Sequence, residues 1–162
     1  MTKLSDLPSD TPRWTIPRRE RMSNEDLHIS DFVLVRKHDD SDSVLFLKAG
    51  DKFPVSFKRG KWLLPAAILD FGGSPKKFAN QVIREQLDNA EVSEPNFLSL
   101  QSYYGAHWDI VFVLENHLLD GKPMPTARPP FSAVTFFKLS NLPRNEIADD
   151  HLEVLDELKE EP

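Results

Sequence analysis

The residues from Trp62 to Val92 read WLLPAAILDFGGSPKKFANQVIREQLDNAEV, and they gather the side chains of this chain best suited to chemistry. An apolar lead-in runs into a Gly72-Gly73 turn. Ser74-Pro75 then offers a helix start, with Ser as the capping acceptor and Pro at the first position, where no N–H is needed. From Lys76 to Ala90 the apolar residues Phe78, Val82, Ile83 and Leu87 fall on one face of a predicted helix. Glu85 and Asp88 are three residues apart, so on that helix they share a face, with Arg84 and Asn89 beside them. The plain reading is two solvated carboxylates on a polar helix side. The alternative is a site.

Other constellations are weaker. Asp39, Asp40 and Asp42 lack the Gly and distal Glu of a calcium loop, and HDDSDS reads as a hairpin tip. His107 and Asp109, two apart on a predicted strand, share a face and could do acid–base work; Asp70 and Glu115 are further candidate bases. The plain reading of each is a surface or hydrogen-bonded residue. His28, His38, His117 and His151 show no metal-ligand spacing. No nucleophile elbow or phosphate loop is present.

The elements that must position these groups follow from pattern. Residues 1–28, with Pro8, Pro12, Pro17 and a basic run at Arg13, Arg18, Arg19 and Arg21, read as an extended arm, and 29–162 as one folded domain. Strands are predicted at Phe32–Lys37 and Val44–Lys48 as a hairpin, then Lys61–Leu64, Leu98–Tyr104, Trp108–Glu115 and Ala133–Leu139. Phe53–Phe57 contains Pro54 and reads as an edge or irregular piece. Asn116–Pro130 reads as a loop. A last helix is predicted over Asn145–Glu160. Two amphipathic helices and a mixed sheet bury their apolar faces most simply as an α/β sandwich.

A chain of 162 residues supports one real core, and 40% hydrophobic with 28% charged residues is a soluble globular composition. No apolar run approaches the ~18 residues of a membrane helix, and MTKLSDLPSD lacks the apolar core of a secretory signal. The absence of cysteine excludes disulfides and thiolate metal sites and fits a reducing, cytoplasmic setting. A net charge of −6 argues against nonspecific nucleic-acid binding.

The segment Leu64–Val92, within the element order β-β-β-α-β-β-β-α, resembles the Nudix hydrolase superfamily, whose motif is G-x5-E-x7-R-E-U-x-E-E-x-G-U with U a bulky aliphatic. LPAAILDFGGS, Leu64 to Ser74, is similar to the lead-in LPGG-x-x-E-x-G-E-S. The resemblance implies an α/β/α sandwich over residues 30–158 and the hydrolysis of nucleoside diphosphates linked to another group, usually with magnesium. Its departures are as informative. Ala66 and Ala67 replace the lead-in glycines, and Gly73 stands where the first motif Glu belongs. Two registers then compete. With three residues inserted, Arg84-Glu85 match Arg-Glu, Asp88 and Asn89 replace the paired glutamates, and Val92 is the terminal aliphatic; this one is preferred because it keeps the following strand in step. Without a gap, Gln81-Val82 take Arg-Glu, and Glu85-Gln86 take the pair.

Diphosphate hydrolysis needs cations to neutralise charge and activate water, and magnesium wants hard oxygen ligands. In the preferred register the resemblance makes Glu85 and Asp88 the remaining catalytic and metal-binding groups, with Asn89 a weak neutral ligand, Arg84 a structural or orienting residue, and magnesium or manganese held weakly or not at all. About half of the anionic charge is gone. A degenerate, non-catalytic or very weakly active module is therefore expected, binding a nucleotide-type ligand or a protein. The rival is a divergent magnesium-dependent hydrolase. Lys58, Arg59 and Lys61 could meet phosphates, and Trp62 and Trp108 could stack on a base, as could Phe53, Tyr103 and Tyr104. A protein partner could use the arm. The sequence leaves a homodimer open.

Overall fold

The computed structural model describes residues 27–69, 72–104 and 108–160; the expected arm lies almost wholly outside them, as do Asp70 and His107. The elements are β1 (Leu27–Arg36), β2 (Ser43–Ala49), β3 (Trp62–Leu63), β4 (Ala66–Ile68), α1 (Pro75–Gln86), β5 (Leu87–Asp88), β6 (Asn96–Tyr104), β7 (Trp108–His117), β8 (Thr126–Ala127), β9 (Phe131–Lys138) and α2 (Asp149–Glu160). Short 3-10 turns occupy Ser56–Lys58 and Arg144–Glu146.

The main sheet runs β3-β2-β1-β7-β6, with β4 on β1 and β9 on β2. It is mixed. β1 lies parallel to β7 from Leu27↔Trp108 to Arg36↔His117, while β7 and β6 form an antiparallel hairpin. The expected β1–β2 hairpin is corrected in one respect. The two strands share only the pair Arg36↔Val44, after which β2 pairs with β9 and β1 with β4. The polar turn itself is as read. Asp40 accepts from Ser43 Oγ at 2.8 Å and from the Asp42 N–H at 3.1 Å, and also pairs with Lys138. Asp40, through Lys138, and Asp42, which accepts from Ser140 Oγ at 2.6 Å, tie the turn to β9 and the residues after it.

Alternation along the central strands sorts side chains to two faces. Val33, Val35, Leu45, Leu47 and Leu114 pack against Ala79, Ile83 and Leu87 from α1 and its end. Phe32, Leu34, Val44, Phe46, Val111 and Val113 pack against Leu152, Val154 and Leu155 of α2. One helix layer on each face gives the α/β/α sandwich that the sequence implied. No helix among the described residues is long and apolar enough to cross a membrane.

Candidate functional site

The N-terminal end of α1 is as the sequence predicts. Gly72 takes φ 82°, Ser74 is extended, and Pro75 opens the helix. The C-terminal end is not. The predicted helix over Lys76–Ala90 stops at Gln86. Leu87 is extended, and Asn89 sits in the left-handed region at φ 61°, which Asn tolerates better than most residues. The cause is tertiary. β5 pairs with β8 through Leu87↔Ala127 and Asp88↔Thr126, and the Arg128 N–H donates to the Gln86 carbonyl at 2.9 Å. Leu87 is buried in either geometry, so its apolarity could not signal the break.

This end separates the expected pair. Glu85 is on α1, exposed, and accepts from Gln81 Nε2 at 2.8 Å. Asp88 is on β5, where Arg128 Nη2 meets its Oδ1 at 2.8 Å, and Arg128 Nε donates to the Leu87 carbonyl at 3.2 Å. Asn89 lies beyond the helix and is exposed, and Arg84 is exposed in the last turn. Glu85 and Asp88 therefore do not share a helical face.

The helix boundary favours the ungapped register, because only that one keeps every Arg-Glu and Glu-Glu position within α1. Val82 then stands at the motif's first helical Glu and is 1% exposed, packed inward. Gln86 stands at the second of the paired glutamates, and its Nε2 donates to the carbonyl of Ala66 at 3.0 Å. A carboxylate there would set an anion against a carbonyl oxygen, an arrangement that needs a cation between them. The amide supplies the N–H instead. Glu85 alone keeps its charge, and it faces Gln81. Among the described residues no three His, Cys, Asp or Glu side chains converge. At these motif positions the described residues offer a magnesium ion one carboxylate, that of Glu85.

Next to the same lead-in lies a group the sequence reading missed. Asp31 of β1 sits opposite Ala67 of β4, fully buried, and among the described residues neither carboxylate oxygen has a hydrogen-bond partner. Burial pushes its carboxyl up to about 7. By alternation it shares the α1 face with Val33. Gln86 Oε1 is likewise buried without a partner, and so are both side-chain atoms of Asn116, on the α1 face of β7. The available signal was an Asp set within the apolar run ISDFVLV of a strand.

The residues expected to bind a ligand lie elsewhere. Lys58 pairs with Asp150 at 2.6 Å, Arg59 Nε donates to the Phe53 carbonyl at 2.8 Å, and Lys61 Nζ donates to the Asn145 carbonyl at 2.7 Å. Trp62 packs on the α2 face, edge-on to Phe137 at 5.6 Å and beneath Lys48. Trp108 begins β7 and donates from Nε1 to Ser102 Oγ at 2.7 Å. Glu115 is engaged by Arg36 at 2.7 Å. A groove of about 430 Å³ includes Lys58 and Lys61, but Asp149, Asp150 and Glu153 line it too, so carboxylates outnumber amines. The sheet thus stands between Glu85 and Asp88 on one side and Trp62 on the other.

No protein-family model and no curated protein matches the sequence. Solved structures do match the fold. A MutT Nudix hydrolase from Burkholderia pseudomallei superposes with TM-score 0.63 at 18% identity, covering 82% of this chain and 98% of its own. A Nudix hydrolase from Nitrosomonas europaea gives 0.61 at 19% identity, covering 89% and 77%. The MutT protein from Methanosarcina mazei Go1 gives 0.60 at 14% identity, covering 86% and 100%. At these identities the likeness concerns architecture, and it agrees with the strand order and helix layers above: this chain has the fold of the Nudix hydrolases.

Proposed function

We propose that this protein is a non-catalytic Nudix-fold binding module, and that its partner is a protein rather than a nucleotide. The observation that carries the first half is the Gln86–Ala66 hydrogen bond, which closes the motif helix onto its lead-in with an amide where the motif calls for a carboxylate. Val82, apolar and buried, removes a second acid from the same site. Supporting the second half, Lys58 and Lys61, which precede the motif, are engaged by protein acceptors, and the groove beside them has an acidic excess that disfavours a diphosphate.

The rival reading, a divergent hydrolase of nucleoside diphosphates linked to another group, has one observation in its favour. Asp31 is a buried carboxyl beside the motif with an affinity for protons near neutrality, which suits a general base. The test is a panel of nucleoside diphosphates and ADP-ribose, with magnesium and then manganese, following phosphate release and thermal stability in the same wells. The proposal expects neither release nor a nucleotide-dependent shift. Release abolished by Asp31→Asn or Glu85→Gln would establish the rival. A nucleotide shift without release would return the ligand, but not the chemistry, to the module.

A further inference from the structure

Charge is unevenly placed in this chain. α2, Asp149–Glu160, carries six acids and one lysine, which is nearly all of the net −6. Asp149 and Asp150 suit the positive end of the helix dipole at its N-terminus. Glu153 and Glu157 do not share that benefit, and with Asp149 they form an i, i+4, i+8 row of exposed like charges. Such neighbours repel on a helix surface. Asp150 and Asp156 are paired, with Lys58 and Arg144, but among the described residues Asp149, Glu153 and Glu157 have no ion pair. The row borders the groove of about 430 Å³ that Asp149, Asp150 and Glu153 line, and Phe57, 78% exposed, lines it too. An acidic groove with a bare aromatic suits a segment that brings cations and an apolar side chain together.

The chain itself supplies one. Residues 13–21, RWTIPRRER, hold four arginines against one glutamate, and Trp14 and Ile16, two apart, share a side when the segment is extended. This run lies outside the described residues, and its tether is short. Arg21 is six residues before Leu27, a span of at most about 20 Å, and Arg13 reaches up to roughly 45 Å. Leu27 opens β1, and about 17 Å along that strand Phe32 packs on His151, the neighbour of Asp150 in α2. The groove is therefore within reach of the run. We propose that the arm docks on its own domain, with the arginines of residues 13–21 on the Asp149–Glu153–Glu157 row and Trp14 against Phe57 in the groove. The tether makes the contact intramolecular, at an effective concentration in the millimolar range, so it needs far less buried area than association of separate chains. A docked arm covers the groove against other partners. The contact lies across the sheet from the motif helix, and it stands whether or not the module is catalytic.

Limited trypsin digestion of the full chain tests this, read as the rate of cleavage after Arg18, Arg19 and Arg21 relative to a free peptide of the same sequence. Asp149→Asn with Glu153→Gln, which alters two exposed side chains, should speed that cleavage roughly two- to tenfold. Raising salt from about 0.05 to 0.5 M should do the same in the wild type. Equal rates in the two proteins, or a rate indifferent to salt, would overturn the proposal. The absence of cysteine allows a second readout that leaves every attracting charge in place. Glu20→Cys with Ser56→Cys, beside Phe57, should close an intrachain disulfide under mild oxidation several-fold faster than Glu20→Cys with Met124→Cys, an exposed residue before β8. Equal rates for the two pairs would likewise sink it.

Discussion

The two faces of the sheet bury polar groups on opposite terms. On the α2 face, His151 is inside the core, but its Nδ1 accepts the Leu64 N–H at 2.9 Å and its ring packs on Phe32 at 4.8 Å. Gln101 of β6 likewise donates to the Val154 carbonyl at 3.0 Å. On the α1 face, the side-chain polar atoms of Asp31 and Asn116 and the Gln86 Oε1 are buried with no hydrogen-bond partner among the described residues. Orphaned buried polar atoms cost about 1–3 kcal/mol each, so a protein keeps three on one face only where something other than stability has set their identities. The α1 face is the motif's face. On the α2 face the corresponding buried groups, His151 and Gln101, are satisfied.

The largest break in this comparison should come from the satisfied side. His151→Ala removes a buried ring and strands the Leu64 N–H, and should cost about 3–5 kcal/mol in urea unfolding. A loss below 1 kcal/mol would mean that the α2 face is no better packed than the other.

Next comes pH. Desolvation lowers the His151 imidazole to about 4, against the opposing pull of Asp150. The unfolded imidazole takes its proton near 6.5, so this group withdraws stability as pH falls from about 6.5 toward 4. Asp31 acts with the other sign. Its folded carboxyl holds a proton up to about 7 and its unfolded one releases it near 3.9, so stability declines as pH rises across that range. Between about 4 and 6.5 the two slopes offset. Asp31→Asn should expose the histidine slope alone, with unfolding free energy falling by roughly 2 kcal/mol on going from pH 6.5 to 4.5 while the parent changes little. The same substitution should raise stability at pH 8, where the parent buries an unpaired carboxylate. Matching profiles for the two proteins would show that Asp31 does not titrate as a buried acid.

Gln86→Glu turns a donor toward the Ala66 carbonyl into an acceptor. We expect about 1–2 kcal/mol of lost stability in chelator, partly restored by magnesium. The smallest effect belongs to Asp88. Its pair with Arg128 is half exposed, so Asp88→Asn should shift stability by no more than about 0.5 kcal/mol and leave any metal response unchanged. A metal response that vanished in Asp88→Asn would restore the register in which that residue is a ligand.

Much of the scaffold was legible. The period-two runs of β2, β6, β7 and β9, the Ser74-Pro75 start and the two amphipathic faces are local signals, and each element appears where its signal lies. What was missed depends on distant chain. β4 exists because Ala66–Ile68 finds β1, and β8 was hidden inside a proline-rich loop. The premature end of α1 follows from that β8 pairing. A two-residue strand about forty residues away, invisible to local pattern, thus puts Asp88 and Asn89 off the helix on which they were expected. α2 also begins at Asp149 rather than Asn145, the intervening turn at Arg144–Glu146 being held in part by the Arg144–Asp156 pair.

The most direct test of the central claim is manganese binding, by calorimetry or electron paramagnetic resonance, to the wild-type chain and to Gln86→Glu. The account predicts no specific site in the wild type up to millimolar manganese, and one acquired by the variant. A wild-type site that Glu85→Gln abolishes would contradict it, and would mean that the motif helix still holds a metal in spite of the amide.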